Sequence, residues 1–220
     1  MNLRSIILSQ SIRFGSPSGH PKGIFLPDLM GRLKEEFRFV ETPTNAEQYN
    51  VEDGVSLKYG SYDGYLINTF KIYRTGMFLE GVAGTEVMDA MLDKIEDILR
   101  SNFSTAITPA APVSKIYFSR IEVMASDAAQ RGLNELQSVR DKMTRMVRAY
   151  GIDVDEYQVG GFALLADPQK STTDAKPQRF LFERRSSHPF EQNVFFSEAP
   201  LQTSEHLDLL NELEASLISG

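Results

Sequence analysis

The three histidines, His20, His188 and His206, are the first side chains to test for chemistry, because imidazole titrates near neutral pH and ligates metals. None falls in an H-x-x-x-H, H-E-x-x-H or H-x-E spacing, so a metal site would have to gather them from three distant segments. The sequence predicts no metal site and no cofactor, and reads each imidazole as solvent-facing or locally hydrogen-bonded. The sharper reading makes His188, ahead of Pro189, a general base or a phosphate contact. Asp153, Asp155 and Glu156 could offer oxygen ligands to a hard cation, but no calcium-loop pattern follows and a solvated face of a strand or turn is expected. Gly15, Gly19 and Gly23 lack the G-K-[ST] of a phosphate loop, and Pro17 spoils Gly15 to Gly19 as a nucleophile elbow. Gly160-Gly161, inside an apolar run, reads as a bulge or a close backbone approach. With no cysteine there is no thiolate nucleophile, disulfide framework or iron–sulfur ligation. No catalytic residue is assigned.

Two basic groupings remain as candidate binding residues. Arg179 to Pro200 holds Phe180, Phe182, Phe190, Phe195 and Phe196 among Arg179, Arg184 and Arg185. Rings beside arginines can stack bases and hold phosphates. Alternation on a strand instead places Phe180 and Phe182 on one core face, with Arg179, Leu181 and Glu183 opposite. Arg184, Arg185 and His188 then stay as candidates for an acidic group, within the protein or outside it. The second grouping is a ridge of Arg140, Lys142, Arg145 and Arg148, which suits the C-terminal end of a helix dipole and could also meet an acidic surface or nucleic acid.

The elements that carry these residues follow from periodicity. Ile6 to Leu8 opens a first strand, too short for a signal-peptide core, and Ser11 to Pro27 reads as an irregular connection. Leu29, Met30, Leu33 and Phe37 mark a helix starting at Pro27. Val51 to Glu80 reads as a meander punctuated by Asp53-Gly54, Asp63-Gly64 and Thr75-Gly76. Met88, Met91, Leu92, Ile95, Ile98 and Leu99 define a helix that Thr85 can cap, with Asp89, Asp93, Glu96 and Asp97 on its other side. After a loop over Thr105 to Pro112 comes a strand over Lys115 to Met124. A single helix is expected over Asp127 to Tyr150, closed by Gly151, with Leu133, Leu136, Val139, Met143, Met146, Val147 and Tyr150 as its core stripe. On that reading Leu136→Ala destabilises the fold and Arg145→Glu leaves it nearly unchanged. Strands over Val159 to Ala166, Arg179 to Arg184 and Asn193 to Phe196 precede a last helix over Ser204 to Ile218.

The fold class is therefore α+β, a largely antiparallel sheet with about four helices mainly on one face. Strands followed by a helix occur twice, which allows a duplication although no residue motif recurs. One domain over 1–220, or halves 1–110 and 111–220 sharing a core, fits the length. No window approaches the ~20 apolar residues of a membrane span, and a net charge of −7 opposes non-specific attraction to phosphate or anionic lipid. The absence of cysteine fits a cytoplasmic setting. Segregated acidic and basic helices without a catalytic motif lead to the expectation of a non-catalytic binding or assembly subunit of a prokaryotic-type cytoplasmic complex. Its partner would be another protein or further copies of the chain. The alternatives are a nucleic-acid-associated protein using the basic ridge, and an enzyme with a dispersed site drawn from His188, Glu183 and Asp155.

Overall fold

The computed structural model describes residues 1–18, 24–111, 113–133, 137–154, 156–167, 170 and 178–219. His20, Gly19, Gly23, Pro112, Leu136 and Asp155 therefore lie outside the described residues. The described chain contains nine strands and five α-helices, an α+β protein whose helices pack against an antiparallel sheet. In chain order these are β1 (Asn2–Ser18), α1 (Leu26–Phe37), β2 (Val55–Tyr62), β3 (Tyr65–Tyr73), β4 (Gly76–Gly81), α2 (Thr85–Phe103), β5 (Ala106–Pro109) and β6 (Lys115–Met124). There follow α3 (Asp127–Gly132), α4 (Gln137–Ala149), β7 (Gly161–Leu164), β8 (Phe180–Arg184), β9 (Val194–Ala199) and α5 (Thr203–Ser219).

The order strand, helix, three strands, helix occurs twice, as β1-α1-β2-β3-β4-α2 and, with two helices in the second place, as β6-α3-α4-β7-β8-β9-α5. Sheet neighbours repeat as well, β2-β3-β4-β1 in the first run and β7-β8-β9-β6 in the second. The chain forms two compact units, one of Ile6–Arg120 with Pro200–Ser204 and one of Met1–Ser5, Ile121–Ala199 and Glu205–Gly220.

In the first unit the apolar stripes of α1 and α2 close over the meander. Leu29, Leu33, Phe37, Met88, Leu92 and Ile95 are buried against Leu57, Ile67, Phe70 and Leu79. Phe37 meets Phe39 and Tyr62 edge-on at 6.3 and 5.8 Å between ring centres, the arrangement ring quadrupoles favour. The β2–β3 hairpin turns at Asp63 and Gly64, both at positive φ (50° and 82°), as the Asp-Gly signal requires.

Three expectations are corrected here. β1 continues through Pro17 to Ser18 where an irregular connection was expected, because Gly15 to Ser18 pairs with β5, itself expected as loop. Pro17 sits in this short terminal pairing, where a missing N–H costs little. Thr85 is the first residue of α2, not its cap; Gly84 is the cap and has no side chain to serve. The capping is done across the chain instead. The Thr85 amide donates to Thr203 Oγ1 at 3.0 Å, the Thr203 amide donates to Thr85 Oγ1 at 2.8 Å, and the Ser204 amide donates to Glu86 Oε1 at 2.9 Å. The first turns of α2 and α5 thus satisfy each other's orphan N–H groups. Burial works to raise the Glu86 pKa, but hydrogen bonds from the Ser204 and Glu86 amides and the Ser204 and Thr85 side chains together outweigh it and hold the group below its usual range.

The third correction concerns α3 and α4. Helix is present over Asp127–Gly132 and Gln137–Ala149, with 134–136 between them outside the described residues, but most of the expected core stripe that is described faces outward. Val139, Met143, Met146 and Tyr150 are between 46% and 75% exposed, while Thr144 and Val147 are the buried residues of α4. Gly151 does end the helix at φ 80°.

In the second unit Leu181 of β8 is buried as well as Phe180 and Phe182 on the opposite face, while Glu183 is exposed. Phe182 stacks on Phe195 at 4.4 Å with an interplanar angle of 8°. Gly161 passes so close to Phe182, at φ 146°, that a Cβ would collide with the Phe182 carbonyl oxygen. That is the close backbone approach the glycine pair suggested.

Candidate functional site

The chemistry-bearing side chains of the second unit fall into three places. The first surrounds Glu122 on β6. Its carboxylate receives Arg185 Nε at 3.2 Å and lies 3.4 Å from Arg4 of β1, whose guanidinium also donates to His188 Nε2 at 3.0 Å. Ser187 Oγ is 3.1 Å from His188 Nδ1. Arg185 and His188 are thus brought to one acid that the sequence did not single out. Arg4 and Glu122 were missed because isolated charges on strands carry no local signal. Arg184 turns the other way, buried between the rings of Phe190 and Phe195 at 4.8 and 5.0 Å and donating to the Phe190 carbonyl at 3.1 Å. Burial pushes its pKa down, with Glu191 only partly offsetting this. A cation in that sandwich is committed to the fold. Phe180, Phe182 and Phe195 are buried, which leaves them no free face for a base.

An open groove of about 530 Å³ lies nearby, lined by Arg4, Ser126, Asp127, Glu191, Gln192 and Asn193, among others. Asn193 adopts φ 51° and donates to Asp127 Oδ1 at 2.6 Å. The groove includes neither His188 nor Glu183, so it does not assemble the dispersed enzyme site.

The second place is the buried pair of Ser197 and His206. Ser197 Oγ donates to the Leu181 carbonyl at 2.8 Å and so accepts from His206 Nε2, also at 2.8 Å. Both side chains are fully buried and the imidazole meets Phe180 edge-on, so no substrate could reach this serine. Burial lowers the His206 pKa from 6.5 to about 4. A base that ionises less readily when folded binds fewer protons than in the unfolded chain. Its contribution is therefore intact above pH 6.5 and is lost as pH falls toward 4, a total of about 3 kcal/mol. Urea midpoints at neutral and mildly acid pH should diverge in the parent, and His206→Gln should flatten that dependence.

The third place is α4. Arg140 lies 3.7 Å from Glu156 and 3.9 Å from Asp141, and Arg148 Nε donates to the Val154 carbonyl at 3.0 Å. Arg145 and Lys142 are exposed, and among the described residues neither has an ion-pair partner. Thr144 Oγ1 accepts the Tyr157 amide at 3.0 Å and fixes which side of the helix turns inward. At ~100° per residue, Val139, Met143, Met146 and Tyr150 fall within about 60° of one another, roughly a quarter turn from Thr144 and Val147. In the first unit α1 occupies the matching place in chain order with its whole apolar stripe buried. A second apolar surface lies at β7, the end strand of the sheet among the described residues, where Tyr157 to Ala166 carries no charge and Leu164 and Leu165 are exposed.

The acidic side of α2, in the first unit, is not a free surface. Arg13 of β1 donates to Asp93 at 2.6 Å, to Glu96 at 3.0 Å and to the Asp89 carbonyl at 2.9 Å. Asp89 also accepts from Ser11, Lys115 and Tyr117. Burial alone would raise the Asp89 pKa, but the Tyr117 and Ser11 hydroxyls and the Arg13 charge hold it below the usual range. Among the described residues no helix is long and apolar enough to cross a membrane. No family model matches the chain, and no curated protein matches it.

Proposed function

We propose that this chain is a non-catalytic binding or assembly subunit that docks a protein partner through the outward face of α4. The complex it joins is of the prokaryotic, cytoplasmic type. The supporting observation is the exposed stripe of Val139, Met143 and Met146 on α4 with Tyr150 just past its end, four large apolar side chains in line, bordered on one side by Lys142 with Arg145 further round the helix. Single exposed apolar residues are ordinary, whereas an aligned group rimmed by charge is the pattern of an interaction surface. The β7 edge, at the end of the sheet among the described residues, lies in the same unit and is a second place for such contacts.

The proposal is tested by purifying the native chain with its partner and reconstituting the pair. Met146→Asp should weaken association at least ~10-fold by placing a desolvated charge in the seam, with a melting curve like the parent's. Arg145→Glu should also leave folding nearly unchanged and weaken association most at low salt. A strictly monomeric chain at high concentration, with no co-purifying protein, would count against the proposal. The nucleic-acid alternative draws on the same ridge, but Arg140 and Arg148 already have partners, leaving two bases on α4 to meet phosphates. Binding to oligonucleotides that falls steeply with salt would favour it instead.

A further inference from the structure

We infer that the partner seated on α4 presents an acidic amphipathic helix and is not a second copy of this chain. The inference rests on α4 being the docking face and adds the chemistry of what it takes. Val139, Met143, Met146 and Tyr150 are spaced four, three and four residues apart, the spacing of a coiled-coil seam. Knobs at that spacing interlock with another helix, whereas an extended strand presents side chains with a period of two. The 13 residues of α4 span about 20 Å, room for roughly two heptads of a partner. Methionine at two seam positions lets the surface adapt to its occupant.

The flanks of the seam decide the charge. One side is taken up by the protein itself, through buried Thr144 and Val147. The other side carries exposed Lys142, about 70° from the middle of the seam, and further round exposed Arg145, about 130° from it; the described residues supply neither with an ion pair. A helix lying along the seam runs one of its own flanks beside Lys142, with Arg145 further out, so acids there complement and bases repel. An antiparallel isologous pairing of two α4 helices would set Lys142 against its own copy. The acidic helices of a second copy are already engaged: α5 buries His206 and Leu210 and half-buries Leu207, Leu209, Leu213 and Leu217, and three acids of α2 hold Arg13. The net charge of −7 opposes an acidic partner only at long range, where salt screens beyond ~8–10 Å, while seam contacts act within a few ångströms.

The probes are two synthetic helical peptides of equal length with leucine at the seam positions, one with glutamate and one with lysine at the flanks. Each is titrated against the full chain by fluorescence anisotropy at low and high salt. The glutamate peptide should bind at least ~10-fold more tightly, with the margin shrinking in high salt. The double change Lys142→Glu with Arg145→Glu should reverse the preference, and Met146→Asp or Tyr150→Asp should abolish binding of both peptides without altering the circular-dichroism melt. Equal affinity for the two peptides overturns the acidic class yet leaves the docking face standing. Binding that survives both seam substitutions, or no binding of either peptide, overturns the seam. Dimerisation in sedimentation that Met146→Asp removes assigns the face to a second copy, and adsorption to phosphatidylcholine–phosphatidylserine vesicles that the same change removes assigns it to a membrane. Either result overturns the inference.

Discussion

Arg13→Ala should destabilise the protein by about 3–5 kcal/mol in urea denaturation, a loss out of proportion to one side chain on a strand. The guanidinium is 6% exposed and serves Asp93, Glu96 and the backbone and side chain of Asp89 at once. Burial acts to lower its pKa, but the bonds to Asp93 and Glu96 and the charge of Asp89 outweigh that and raise it. Removing the cation leaves Asp89 and Glu96 partly buried with their attraction gone, and a buried charge without its partner is the expensive outcome. Arg13→Lys should recover only part of the loss, because one ammonium cannot reach three acceptors in the fork geometry of arginine. The sign of the pH dependence follows from Asp89. Its folded pKa lies below its ordinary 3.8, so its contribution is present above that pH and is lost as pH falls through the folded value. In Arg13→Ala that acid-limb dependence should shrink. A loss under ~1 kcal/mol would mean that the charge cluster is only a screened surface network.

Phe182→Ala should cost about 3–5 kcal/mol by a different route. The ring is fully buried, stacked on Phe195 and 6.0 Å from Phe162. Its removal opens a cavity in the sheet face and takes away the ring that backs Phe195, itself one wall of the Arg184 sandwich. Phe182→Leu should cost less, about 1–2 kcal/mol, since most of the volume is kept. Phe190→Ala, at a ring 38% exposed, should cost less still. Equal losses at Phe182 and Phe190 would show that burial does not order these positions.

Where local pattern and burial coincide, the sequence was a sufficient guide. The stripes of α1 and α2 end in the core of the first unit, the Asp63-Gly64 turn makes its hairpin, and the strands-then-helix order recurs in the second unit. These features depend on residues a few places apart, whose periodicity and turn preferences are written in consecutive letters. The basic residues of α4 and the run of Arg184, Arg185 and His188 were visible for the same reason, but not that Arg184 turns away from the other two into its ring sandwich.

What those residues do depends on partners from elsewhere in the chain. Arg13 is 80 residues from Asp93, and the caps exchanged by Thr85 and Thr203 are 118 residues apart. No local pattern encodes such pairs, because their free energy exists only once the chain has brought them together. The seam on α4 is the sharpest case. Val139, Met143, Met146 and Tyr150 form as regular an apolar arc as the stripe of α1, so by period alone both belong in a core. A helix offers several arcs, and which one is buried is fixed by what packs beside it. Thr144, held to the Tyr157 amide, turns inward with Val147, and that single orientation leaves the apolar arc to solvent or to a partner. The sequence by itself determined that α4 is a helix with an apolar arc and a basic ridge; the tertiary structure decided which way they point, because burial is a property of neighbours and not of the helix.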